Sequence, residues 1–266
     1  EMAVQLKELN EERKNMTQKG VEEALSLVEE QYENDSVLVV YLPDCHESLA
    51  GIIAGRVREA WNRPSFVLTR SAEEADSQDG EETVLMAKGS GRSIEAYHMY
   101  QGLCGVQDLL VKFGGHPMAA GFSLREADIE EFRRRLNEQA DLKPEDFVRK
   151  IWIDVPMPLE YISEGLIEEL KQLEPFGQGN EKPQFAQKNL LIRSSRVLGR
   201  NRNAVKLSLV TEQGYSMEGM LFTEGDRFME ELGSQKHIDV IYYPDVNEYN
   251  GNRTLQIVVR EYKLHP

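Results

Sequence analysis

Cysteine is almost missing here: Cys45 and Cys104 are the two thiols in a chain of 266 residues. Two thiols make neither a disulfide framework nor a thiolate metal cluster. They fit a reducing compartment, so the chain is expected in the cytoplasm. Long apolar runs are lacking as well. None approaches the roughly 18 residues that a membrane span requires, which removes the membrane as an expected partner. Surplus positive charge is lacking: 46 acidic residues outnumber 31 basic ones, for a net charge of -15. That balance speaks against a generic polyanion binder. No Gly-Lys-Ser/Thr ending marks a Walker A loop. No set of carboxylates has two-metal spacing, so no residue is assigned as a metal ligand.

What is present reads as globular. Hydrophobic residues make up 40% and charged residues 29%, a composition that supports a packed core. The length fits one large or two ordinary domains. Charge is uneven: residues 1–148 hold 16 basic and 29 acidic residues, and residues 149–266 hold 15 and 17. Any groove for a polyanion is therefore local, and the second part repels it less.

Residues 2–32 read as a helix, with Gly20 marking a bend. Val37–Leu42 predicts a buried strand, Leu49–Ala60 a helix and Ser65–Thr69 a strand, together a βαβ unit. Residues 71–82 predict a polar loop, Thr83–Ala87 a short strand and residues 99–113 short helices. Residues 127–140 predict an amphipathic helix with Ile129, Phe132 and Leu136 inward. A polar junction containing Pro144 places a domain boundary near 148. Beyond it, strands are expected at 151–155, 188–198, 203–211, 214–221, 237–243 and 253–263, with helices at 164–173 and 226–232. Many strands and few helices fit a small barrel of the OB type. Its core candidates are Ile151, Ile153, Leu207, Leu209, Met220, Ile241 and Ile257.

Four segments carry candidate chemistry. Lys88-Gly-Ser-Gly-Arg-Ser93 offers glycines that let backbone N–H groups approach an anion, two hydroxyls, and a guanidinium matched to phosphate; the alternative is a tight turn with a surface arginine. In Phe113-Gly-Gly-His-Pro-Met-Ala-Ala-Gly-Phe-Ser123, Gly114 and Gly115 give access to His116, while Met118–Ala120 suggests a short buried helix. A buried, hydrogen-bonded histidine is the other reading. Asp44-Cys-His-Glu47 lies between a strand end and a helix start, where sites collect; a Cys45–His46 nucleophile pair and metal binding by Asp44, His46 and His116 are the sharper alternatives there. Arg196, Arg200, Arg202 and Lys206 form a basic cluster at a hairpin, with Phe222, Tyr242, Tyr243 and Tyr249 as candidate stacking rings. Glu174–Pro183 reads as a structural loop, with a DNA-facing role as the alternative.

Taken in order, His46…Gly51-Ile-Ile-Ala-Gly-Arg56, Arg63-Pro64, Gly89-Ser-Gly-Arg-Ser93 and Gly114-Gly-His-Pro-Met-Ala-Ala-Gly-Phe122 resemble the DHH-associated domain of RecJ exonucleases. Leu173-Glu-Pro-Phe-Gly-Gln-Gly-Asn180 looks like the start of that family's OB domain. The resemblance covers nearly the whole chain and departs at Cys45 and Ser48, where the family has Trp and Gly. It implies a connecting helix over 1–32, a DHH-associated α/β domain with a mixed sheet over 33–148, and a mostly-β OB-type domain over 149–266. It also implies the substrate-binding C-terminal portion of a 5'-to-3' single-stranded-DNA exonuclease of the DHH phosphoesterase superfamily, acting in DNA repair and recombination. Such an enzyme uses Mn²⁺ or Mg²⁺ held by an N-terminal DHH domain of the same polypeptide, so this segment alone is expected to be inactive and to bind no metal strongly. The resemblance makes Ser90, Arg92 and Ser93 contacts to DNA phosphates, puts His116 near a phosphate in support of the chemistry, and has the barrel hold the strand downstream. With Gly91, Gly114, Gly115, His46 and Arg56 from the same segments, and the basic hairpin residues Arg196, Arg200, Arg202 and Lys206, these are the expected contacts to single-stranded DNA. An oligonucleotide or cyclic-dinucleotide phosphodiesterase relative and a non-catalytic single-strand binding module are the alternatives.

Overall fold

The computed structural model describes residues 2–71, 84–177, 179–249 and 251–266; of Tyr249 only the backbone is described. The chain divides into two compact units, Glu1–Arg149 and Lys150–Pro266. The expected polar loop falls almost wholly on residues outside this description, as does Thr83.

The first unit runs α1 (Met2–Leu27), β1 (Leu38–Tyr41), α2 (Ala50–Trp61), β2 (Ser65–Arg70), β3 (Met86–Arg92), α3 (Met99–Cys104), β4 (Leu110–His116), β5 (Ala119–Arg125) and α4 (Ile129–Gln139). Its five-stranded sheet has the order β1-β2-β3-β5-β4. Strands β1 and β2 pair in parallel and the other pairs are antiparallel, which makes the sheet mixed. A buried strand, an amphipathic crossover helix and a second buried strand produce that parallel pair. On one face, Phe66, Phe122 and Phe132 form a T-shaped and stacked trio among the buried residues that include Ile129 and Leu136. The other face is covered over β1 and β2 by α2 and the end of α1, through Ala24, Val28, Leu38, Val40, Ile53, Val57 and Val67.

Three local expectations are corrected. Helix α1 continues unbroken through Gly20, which is buried. A Cβ there would sit 2.7 Å from Ile53 Cδ1, so this glycine permits close helix packing and does not interrupt the helix. Residues 110–113 and 119–120 belong to strands β4 and β5, not helices. Lys88–Arg92 is the middle of the sheet, not a turn.

The second unit runs β6 (Val155–Pro156), α5 (Glu164–Lys171), β7 (Phe185–Leu198), β8 (Ala204–Val210), β9 (Ser216–Leu221), α6 (Gly225–Leu232), β10 (His237–Tyr249) and β11 (Asn252–His265). Strands β7 to β11 close on themselves through the β10–β7 pairing. This five-stranded barrel with its inserted helix is an OB fold. Leu207, Leu209 and Ile257 are fully buried in its core. Ile151 and Ile153 are not: they precede the short strand β6 and stand 36% and 41% exposed. Met220 and Ile241 fall on the outer phase of their strands, between the buried pairs Gly219/Leu221 and Val240/Tyr242.

Candidate nucleic-acid interface

In the first unit, antiparallel pairing lines up three rows of side chains on the sheet face that α2 partly covers. Arg92, Ala119 and His116 share one row; Ser90, Gly121 and Gly114 share the next; Lys88, Ser123 and Lys112 share the third. Directly paired residues project to the same face. The middle row is nearly free of side chains. A Cβ on Gly114 would meet nothing within 4 Å, and one on Gly121 only Gly89 O at 3.9 Å. The result is an open polar strip whose floor is β3, β5 and β4 and whose wall is the start of α2.

The wall is close. A Cβ on Gly51 would lie 2.8 Å from Arg92 Nη2 and 3.0 Å from Ser90 Oγ. Only glycine in the first turn of α2 leaves the guanidinium its seat. Arg92 Nη1 donates to Ser90 Oγ at 3.2 Å and to Gly91 O at 2.8 Å, which fixes the fork at the helix N-terminal end. A guanidinium, a hydroxyl and the positive end of a helix dipole together suit an oxyanion. His116, exposed at the end of β4, accepts the Met118 N–H at Nδ1 (3.2 Å). It is therefore not a core histidine. Gly115 is held by close approach: a Cβ there would lie 2.5 Å from Ala119 O.

The other residues singled out from the sequence occupy different places. Gly89 and Gly91 do not cradle an anion, because both flanking strands use the β3 backbone. Their missing side chains make room on the core face instead, for the Phe122 ring and for Met99 and Phe66. Ser93 is buried and donates its hydroxyl to Tyr97 O at 2.6 Å, while its N–H reaches Met118 O at 2.9 Å; it ties the β4–β5 turn. Arg56 is exposed on α2 and pairs with Glu59 at 3.0 Å. His46 caps the turn before α2, with Nδ1 2.8 Å from Ser48 Oγ and accepting the Ser48 N–H at 3.2 Å. Ser48 thus sets the His46 ring, a contact glycine could not make. The Cys45 thiol is pushed up by burial and by nearby Glu23, and its Sγ lies against the His46 carbonyl, not the ring. Asp44, His46 and His116 do not assemble; among the described residues no three His, Cys, Asp or Glu gather in a group that could hold a metal ion. These residues do not fit a divalent-cation site.

In the second unit, Arg196 and Lys206 face each other across β7 and β8, and Arg200 and Arg202 lie in the connecting turn. The cluster is unequal. Arg202 adopts φ 53° and grips the Asp226 carboxylate with two hydrogen bonds, Nε donating at 2.7 Å, which holds that carboxyl below its usual range. Lys206 pairs with Glu218 at 2.8 Å. Arg196 and Arg200 make no ion pair among the described residues. Removing Arg200 is expected to flatten the log K against log salt slope for single-stranded DNA by about 0.7, and removing Arg202 by less than half that. Arg202 already has a protein counter-ion. Anisotropy titrations of both alanine variants at several salt concentrations check this; equal slopes would put Asp226 out of account.

Tyr242 cannot stack on a base: it is fully buried, its hydroxyl donates to Met157 O at 2.6 Å, and burial pushes it well above the usual tyrosine range. Lys182 covers Tyr243 at 3.7 Å from the ring centroid. Phe222 is 67% exposed beside the hairpin, and the Tyr249 side chain lies outside the described residues. The Glu174–Pro183 loop is tied by Asn180, whose Nδ2 donates to Leu173 O at 2.8 Å and Pro175 O at 3.0 Å.

A mixed-sheet unit with an arginine–serine–histidine strip, followed by an OB barrel, defines a class. Residues 34–141 match the DHHA1 domain family and residues 153–261 the RecJ OB domain family. The single-stranded-DNA-specific exonuclease RecJ of Bacillus subtilis is 32% identical over 263 residues, covering 98% of this chain and 32% of that protein. The enzyme of the same name from Salmonella typhimurium is 31% identical over 268 residues, covering 97% of this chain and 44% of that protein. Crystal structures of Thermus thermophilus RecJ in complex with Mg²⁺ and with Mn²⁺ superpose with TM-scores of 0.74 and 0.75 at 25% identity, covering 98% and 97% of this chain and 37% and 35% of those chains. The chain belongs to the RecJ family, and spans less than half the length of these relatives.

Proposed function

We propose that this chain is the strand-holding portion of a 5'-to-3' single-stranded-DNA exonuclease of the DHH superfamily, working in DNA repair and recombination in the cytoplasm. In this reading the divalent-cation chemistry belongs to an N-terminal DHH domain of the same polypeptide, and the two units described here grip the substrate without cutting it. The observation that carries the reading is the seating of Arg92 and Ser90 under Gly51, in the same row system as His116. That surface offers a phosphate a fork, a hydroxyl and an imidazole beside a floor too bare to obstruct a sugar–phosphate chain. Arg196 and Arg200 on the barrel hairpin extend the grip. Ser93 is buried against Tyr97 O and Arg202 is already paired with Asp226, so neither supports this reading.

The test is titration of a short 5'-phosphorylated single strand and of a duplex into the whole chain. Single strands are expected to bind better than duplex. Arg92→Ala is expected to weaken the single strand by at least ~1.5 kcal/mol, about tenfold, because a charged hydrogen bond is lost. A change under about twofold removes Arg92 from the interface. Mn²⁺-dependent release of nucleotides by the isolated chain would overturn the division of labour.

A further inference from the structure

Resting on the reading that the Arg92–His116 row takes one phosphate, we propose that the strip carries a second phosphate station built from Lys112 and Ser123. It would hold the nucleic-acid backbone two steps along from the first. Lys112 belongs to none of the motifs singled out in the sequence, and its orientation depends on an irregularity. Strand β4 contains a bulge between Leu110 and Lys112: Leu110 pairs with Leu124, Lys112 pairs with Ser123, and Val111 is the extra residue. Leu110 and Phe113 both pack against the aromatic core. In regular alternation, an inward Leu110 would send Lys112 inward too. The bulge shifts the phase, so Lys112, Gly114 and His116 all face the strip.

The station has a defined setting. A shallow depression is lined by Lys88, Lys112, Phe113, Gly121, Phe122 and Ser123. Lys112 is exposed and makes no hydrogen bond or ion pair among the described residues. Lys88 on the far side pairs with Glu47 at 3.1 Å, so its charge is partly met and Lys112 is the principal donor. Between the stations lies the bare Gly114–Gly121 row. Alternate residues on a strand are about 6.8 Å apart, close to one phosphate step of an extended single strand. The rows at 92/116, 90/114 and 88/112 therefore match consecutive phosphates, with side-chain cations at the first and third.

The probes are 5'-phosphorylated oligothymidylates of two and of four nucleotides, titrated calorimetrically into the whole chain. A dinucleotide carries two phosphates and stops short of Lys112; a tetranucleotide reaches it. Lys112→Ala is expected to bind the dinucleotide like the parent and the tetranucleotide about three- to tenfold more weakly. Its tetranucleotide salt slope should be flatter by about 0.7. Lys112→Arg should restore both. Arg92→Ala should weaken both lengths. If Arg92→Ala weakens both while Lys112→Ala matches the parent at four nucleotides, the second station is wrong and the first stands. Equal loss at both lengths in Lys112→Ala also overturns it. No effect of Arg92→Ala, or no binding by the parent at low salt, removes the reading on which the station rests.

Discussion

Replacing Gly51 by alanine is expected to leave the melting temperature at or slightly above that of the parent while weakening the short 5'-phosphorylated strand about tenfold. The new Cβ would stand 2.8 Å from Arg92 Nη2 and 3.0 Å from Ser90 Oγ. Both are ends of side chains, and the guanidinium is free to swing toward solvent. The fold loses little, and alanine in place of glycine in a helix returns up to ~1 kcal/mol, less in a first turn. The ligand loses the arginine at its fixed place, which carries the cost of a charged hydrogen bond, at least ~1.5 kcal/mol. Parallel thermal melts and titrations check this. Unchanged binding in a variant that melts normally would show that contact with α2 does not position Arg92 for the ligand.

Gly89→Ala is expected to do the reverse: the first unit should melt earlier by roughly 5–10 °C. The added methyl would stand 2.2 Å from Phe122 Cζ and 2.5 Å from its Cε1. That ring cannot retreat, because it stacks on Phe132 at 4.9 Å and meets Phe66 edge-on at 5.5 Å. Overfilling a packed site of this kind costs about 1–3 kcal/mol, and a unit of this size shifts by about 2–4 °C per kcal/mol. Calorimetry of the variant beside the parent decides. A variant that melts like the parent but binds poorly would restore Gly89 to a ligand-facing role.

This contrast shows where the sequence was legible. Glycine announces that something comes close, but not what. Gly51 admits a guanidinium, Gly89 and Gly91 admit aromatic and thioether side chains, Gly20 admits a helix, and Gly114 and Gly121 leave a floor clear. Read as a string, Lys88–Ser93 has the look of a phosphate loop, because two-residue alternation with glycine on the core face hides a central strand. The order of motifs led to the mixed sheet and to the OB barrel. Strand phase was harder. Ile241 and Met220 are as apolar as their neighbours, and only the pairing partners decide that Tyr242 and Leu221 point inward. Lys112 was missed for the same reason, since one extra residue at Val111 reverses which face it occupies. Arg202 is indistinguishable from Arg200 until the inserted helix brings Asp226 beside it.

Strand β4 is the outermost strand of its sheet, so among the described residues no strand lies along one side of its backbone. Such a border invites a second molecule to add its own strand, the first step toward uncontrolled self-association. The extra residue at Val111 breaks the even spacing an incoming chain would have to match, and the ammonium of Lys112 would be dehydrated by its approach. The irregularity that turns a cation toward the strip therefore also guards the border, and colloidal behaviour and ligand grip are set at the same few residues.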